Sequence, residues 1–139
     1  GEHDEMRKEI EKFQAQAVER VKDELLKRAQ NVNGVQVIKA VLPLEPAAAK
    51  DLVFKLRETI NEKLVAVIGS TAGNKPLLTV MFSDDMVKDH ALNAGKIIRE
   101  AAKLIQGGGG GQPHYAQAGG KNIEGISAAV DKVIELANL

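Results

Sequence analysis

The sequence predicts an α/β fold: an N-terminal helix followed by a small mixed sheet covered by helices, in the order β-α-β-β-α, glycine-rich loop, C-terminal helix. Three observations predict it. Short apolar runs at 35–42, 64–70 and 77–82 have the length and bounding turn residues of buried strands. The segments around them carry apolar residues at helical spacings of three and four. The 139 residues are 44% hydrophobic with only three Phe, one Tyr and no Trp, which suits an aliphatic core in one ordinary domain with an appended helix.

Residues 4 to about 31 open the chain with a helical stripe of Met6, Ile10, Phe13, Ala17, Val21, Leu25 and Ala29, uninterrupted by Pro or Gly. Such a stripe docks on the domain behind it or pairs with another helix. Its last steps of four drift from a 3.5 period, so a long independent coiled coil is not supported. Asn31-Val32-Asn33-Gly34 is a stop signal, and Val35 to Leu42 reads as a buried strand ended by Pro43. Pro46 suits the first turn of a helix that buries Ala49, Leu52, Val53, Leu56 and Ile60. LVAVIGS, a turn at TAGNKP and LLTVMF predict a hairpin. Ser83, Asp84 and Asp85 mark a helix start, and helical pattern runs from Val87 to Ile105 with a break near Asn93 and Gly95. The last helix follows Ile123, Ile126, Val130, Val133, Ile134 and Leu136. This divides the chain into a helical neck or dimerisation segment, 1–33, and a globular domain, 34–139, with the glycine-rich loop at 107–120. The start at Gly1 rather than Met reads as an excised piece or a processed product.

Much chemistry is excluded. Lys+Arg and Asp+Glu both total 19, which argues against gripping nucleic acid by overall charge but allows a local basic patch. The absence of cysteine rules out disulfides, thiolate nucleophiles and Cys-ligated zinc, and fits a reducing cytoplasm. There is no apolar run of roughly 20 residues and no signal-peptide pattern. His3 belongs to a solvated tail. Asp85 and Asp89, four apart beside His90, have the spacing of a metal pair, yet an acidic first turn set against the helix dipole is the more ordinary account. No nucleophile elbow, HExxH or EF-hand loop occurs. The glycine run fails the P-loop pattern, because Gly111 is followed by Gln112-Pro113, and it follows a helix where a dinucleotide loop follows a strand. No catalytic and no metal-binding residue is therefore assigned.

The segment GGGGGQPHYAQAGG holds seven of the 13 glycines. Glycines let another backbone approach closely and leave N–H groups free to converge on an anion. Gly107, Gly108, Gly109, Gly110 and Gly111 are assigned to that close approach, with Gly119 and Gly120 before the last helix. Gln112, His114, Tyr115 and Gln117 offer hydrogen bonds or a stacking face. Lys96, Arg99 and Lys103 lie along one helix face leading into Gly107, and Lys121 flanks the other side; these four address phosphate. A flexible linker and a solvated charged face are the bland alternatives.

The stretch NAGKIIREAAKLIQGGGGGQPHYAQAGGKNIEGISAAVDKVIELA resembles the C-terminal end of bacterial alanyl-tRNA synthetases. Their pattern is an Asn/His-Ala-Gly helix, a glycine run, Arg-Pro, a short spacer, Ala-Gln-Ala/Gly-Gly and a closing helix. The same module is similar to the substrate-binding lobe of DHH-family phosphoesterases. Gln112 departs from the usual Arg and removes one phosphate contact. The resemblance implies a non-catalytic piece of alanine–tRNA ligase, a cytoplasmic enzyme of protein biosynthesis. It implies binding to the elbow of tRNA(Ala) in support of ATP-dependent alanylation and editing, with the rest of the synthetase and a second copy as further partners. ATP, magnesium and zinc belong to the parent enzyme, and no cofactor is expected in this domain. The rival readings are a homodimerisation module with a structural glycine loop, and the nucleic-acid-binding lobe of a DHH-family phosphoesterase.

Overall fold

The computed structural model describes residues 18–89 and 92–137. Met6, Ile10, Phe13 and Ala17 of the first stripe lie outside the described residues, as do His3 and His90. Helix α1 is described over 18–27. Strand β1 (Gln30–Val32) then turns at Asn33 and Gly34 into β2 (Val35–Leu42). Both turn residues have positive φ, 52° and 87°, the backbone of a tight two-residue hairpin that Asn-Gly tolerates best. Helix α2 (Pro46–Thr59) crosses over to β3 (Leu64–Ser70), which runs parallel to β2. Strand β4 (Leu77–Phe82) returns antiparallel, as the short TAGNKP connection predicts.

Helices α3 (Asp84–Asp89) and α4 (Ala94–Ala102) replace the single interrupted pattern. The break has a local cause. Asn93 is extended, and its side chain accepts a hydrogen bond from Lys96 N at 3.2 Å, so it caps α4. Strands β5 (Gly108–Gly111) and β6 (Tyr115–Gly119) follow, and helix α5 (Ile126–Ala137) closes the chain.

The strand order is β1-β2-β3-β4-β6-β5, so β3 and β4 lie at the centre. Every residue of β3 is buried because helices cover both faces. Alternation sorts the side chains. Val65, Val67, Leu78, Val80 and Phe82 pack under α4 and α5, against Ile98, Ala101, Val130 and Val133. Leu64, Ala66, Ile68 and Met81 pack under α2, against Leu52, Val53 and Leu56, where Val18 and Leu25 of α1 join them. Lys55 of α2 pairs with Glu19 of α1 at 2.6 Å, and this pairing holds the Glu19 carboxyl below its ordinary value.

The fold is the expected mixed sheet with helices, with two further differences: β1 at Gln30–Val32 occupies the end of the predicted first helix and its stop signal, pairing with β2, and the glycine segment is recast. The glycine segment is not a loop: it supplies the last two strands. β6 has the right alternation, with Ala116 and Ala118 buried under α4 while Tyr115 and Gln117 face the α2 side. It pairs antiparallel with β4, and β5 pairs antiparallel with β6. Glycine carries no strand propensity of its own, so the pairing of β5 is imposed by its neighbours.

Candidate nucleic-acid interface

The glycines of β5 are needed for close approach rather than for an unusual backbone. Among the described residues the glycines with positive φ are Gly34 and Gly73, neither of them in this strand. An added Cβ at Gly109 would meet Gln117 O and, at 2.6 Å, Ala118 Cα; at Gly111 it would meet Tyr115 O and, at 2.7 Å, Ala116 Cα. Gly107 meets the backbone of Gly119 in the same way. Gly108 faces open space, and the nearest atom to a Cβ on Gly110 is Arg99 Nη2 at 3.6 Å. On the helix side a Cβ on Gly95 of α4 would stand 2.9 Å from Gly111 O. β5 is thus a thin ribbon pressed between β6 and α4, and side chains would hold these partners apart.

The turn at its end is anchored by backbone hydrogen bonds. Gln112 N donates to Tyr115 O at 2.8 Å, Phe82 N to His114 O at 2.8 Å and Ala94 N to Pro113 O at 2.8 Å. The last two tie the turn to β4 and to the start of α4. Gln112 and Pro113 are left exposed, while His114 and Tyr115 are half-buried.

Two kinds of chemistry flank the bare strand. On the α4 side Lys96 and Arg99 are exposed, with Arg99 beside Gly110. Lys103 is also exposed but pairs with Glu100 at 3.1 Å. On the α2 side Tyr115 packs on Phe54 with ring centroids 5.1 Å apart, and Lys50 Nζ sits 5.9 Å from the Tyr115 centroid and 6.0 Å from that of Phe54. Burial pushes the Tyr115 phenol above its ordinary value and keeps it a neutral hydrogen-bond donor. Gln117 is fixed next to it, its Nε2 donating to Pro46 O and to Thr79 Oγ1, each at 3.2 Å.

Apart from Lys103, which pairs with Glu100, the predicted site residues form two groups. Gly108–Gly111, Gln112, His114, Tyr115, Gln117, Lys96 and Arg99 share the hairpin and its flanks. Gly107, Gly119, Gly120 and Lys121 lie at the other end of the hairpin, where Lys121 N donates to Ile105 O at 2.8 Å. Gln117 spends its amide inside the fold, so its contact to a ligand is not free. Lys50 and Phe54 escaped the sequence reading: they belong to α2, and only tertiary packing sets them against Tyr115. Asp84 and Asp85 are structural. Asp84 pairs with Arg57 at 2.6 Å, and Asp85 accepts from Lys63 N at 2.9 Å.

A backbone strand stripped of side chains thus has cations on one flank and an aromatic ledge on the other. A family profile described as the DHHA1 domain matches residues 33–139. The crystal structure of the C-Ala domain from Aquifex aeolicus alanyl-tRNA synthetase superimposes with a TM-score of 0.69 at 31% identity, covering 80% of this chain and 98% of that one. The chain belongs to the DHHA1 family, as an alanyl-tRNA synthetase C-terminal (C-Ala) domain. Its C-Ala character extends to sequence: it is 51% identical over 134 residues to an alanine–tRNA ligase of Bacteroides fragilis and 48% identical over 134 residues to that of Bacteroides thetaiotaomicron. In both cases it spans 96% of this chain but only 15% of the relative. A DHH-domain structure described as a member of the s1p family of ribosomal proteins shares the C-Ala fold, with a TM-score of 0.63 at 15% identity over 90% of this chain and 31% of that one. Among the described residues no helix is long and apolar enough to cross a membrane.

Proposed function

We propose that this chain is the tRNA-binding domain of an alanine–tRNA ligase, gripping the elbow of tRNA(Ala) so that the parent enzyme can alanylate and edit it in the cytoplasm. The single observation that carries this reading is the side-chain-free β5 strand between Lys96/Arg99 and the Tyr115–Phe54 ledge. Phosphates approach the exposed glycine backbone and the two cations, while an unpaired base stacks on the ledge. ATP, magnesium and zinc serve the catalytic and editing parts of the parent; this chain, without cysteine, offers no thiolate for zinc. A helix-mediated dimer is the weaker reading, because Val18 and Leu25 of α1 are already buried against α2.

The test is fluorescence anisotropy with a tRNA(Ala) transcript across a salt series. Lys96→Glu combined with Arg99→Glu is expected to weaken binding at least ~tenfold and to reduce the salt slope by about 2. An acceptor minihelix without the elbow is expected to bind much more weakly than the full tRNA. Equal affinity for the two RNAs, or indifference to the charge reversals, refutes the assignment.

A further inference from the structure

At the end of the hairpin away from the 112–114 turn lies a cleft of about 700 Å³, within the size range of small-molecule sites. Leu44, Pro76 and Leu77 give it apolar walls, and Lys75 and Lys121 line it as cations. It opens at the carboxyl ends of the parallel strands β2 and β3, the side of an open α/β sheet where ligands collect.

Two independent features point to an occupant. The first is the start of α2. Glu45 makes no side-chain cap, Pro46 has no N–H to give, and the amides of Ala47 and Ala48 end the helix without a capping group. Glu45 and Pro46, the N-cap and first residue of α2, line the cleft, so the N-terminus of this helix borders it. The second is Ser70. It lines the cleft, is 1% exposed, and its hydroxyl has no hydrogen-bond partner. Strand alternation turns it to the α2 face, because its neighbour Gly69 faces Ile126 and Val130 of α5. A buried hydroxyl left unpaired is destabilising, and such groups in a native fold call for a missing partner.

We propose that this cleft binds a nucleoside monophosphate unit, either a free nucleotide or one nucleotide of a bound RNA strand. The phosphate is held by Lys75 and Lys121, beside the N-terminus of α2. The Glu45 carboxylate accepts from ribose hydroxyls, the base lies between the apolar walls, and Ser70 bonds its edge. Lys75 and Ser70 lie outside the hairpin, while Gly107, Gly119, Gly120 and Lys121 line both the cleft and the hairpin's far end; the RNA source rests on the tRNA reading, and the free-nucleotide source does not.

The experiment is an amide NMR titration of the 139-residue chain with AMP, GMP, CMP, UMP and, separately, inorganic phosphate. Saturable shifts at Ser70, Gly73, Leu77 and Lys121 are expected with at least one nucleotide, at concentrations where phosphate gives none. Lys75→Glu, at an exposed position, is expected to weaken this binding ~tenfold, about the effect of one charge-assisted contact. Ser70→Ala is expected to raise the melting temperature while weakening the nucleotide, a combination that a merely structural serine would not give. If Lys75→Glu also lowers tRNA affinity, the source is a nucleotide of the RNA; if tRNA affinity is unchanged, the ligand is free. Loss of tRNA binding in the Lys96→Glu/Arg99→Glu variant with nucleotide shifts retained would keep the two sites distinct. Absence of saturable shifts at the cleft, equal response to inorganic phosphate, or unaltered binding in both single variants overturns the proposal.

Discussion

Alanine substitution along β5 should produce an alternating stability profile. An added methyl at Gly109 would stand 2.6 Å from Ala118 Cα and 2.7 Å from Ala118 Cβ, and at Gly111 2.7 Å from Ala116 Cα. Carbon atoms prefer about 3.5–4.0 Å, so each overlap is roughly 1 Å, and the obstacle is backbone that cannot rotate away. β5 must lift from β6, adding the cost of a strained or broken ladder hydrogen bond, ~1 kcal/mol, to an overpacking cost of ~2 kcal/mol. Gly109→Ala and Gly111→Ala should therefore each lose about 3 kcal/mol. With a urea slope of about 2 kcal/mol/M, the midpoint falls by roughly 1.5 M. Gly108→Ala meets nothing within 4 Å and Gly110→Ala only ordinary contact. By restricting the unfolded chain these two should be neutral or gain up to ~1 kcal/mol. Urea unfolding followed by circular dichroism on the four variants reads this pattern directly. Equal small effects at all four positions would mean an unpaired linker and would refute the strand.

Two titrations should follow from the environments of single groups. Burial raises the Asp85 carboxyl, but hydrogen bonds from Ser83 and from the amides of Lys63, Asp85 and Met86 outweigh it and hold it below its ordinary value; its contribution is thus complete above the unfolded value near 4 and lost as pH falls through the lower folded one, so the stability gap between wild type and Asp85→Asn should close below about pH 4 in acid unfolding curves. Tyr115 is the one tyrosine in the sequence, so tyrosinate absorbance reports it alone. Its midpoint should lie above about 10 and move back toward that value in Phe54→Ala; stability from this group is present below the unfolded value and lost as pH rises through the folded one.

The core was legible because burial leaves periodic traces. Val35–Leu42, Leu64–Ser70 and Leu77–Phe82 are apolar runs of strand length, and their bounds coincide with the observed strands. The break near Asn93 could be read because a capping residue announces it. β5 could not be read, since four glycines have neither side-chain period nor strand preference, and the collision pattern that selects them exists only once β6 and α4 are in place. The candidate site divides along the same line. Arg99, His114 and Tyr115 stood out as chemistry beside the glycines. Lys50 and Phe54 are ordinary residues of an amphipathic helix until α2 crosses β6, and Ser70 reads as the last residue of an apolar strand until its hydroxyl is found without a partner.

The two outermost strands also govern what the sheet does in a crowded solution. Open strand edges template pairing with other chains, and long, flat, apolar ones are the most dangerous. Here the borders are β1, three residues long, and β5, four residues long and wholly glycine. The first is too short to hold a register. The second has no side chains with which a foreign strand could interdigitate, so a partner gains little beyond backbone hydrogen bonds. The thinness that brings β5 close to its own neighbours thus denies an intruding strand the interlocked side chains of a zipper, although neither border strand carries a proline or a lysine.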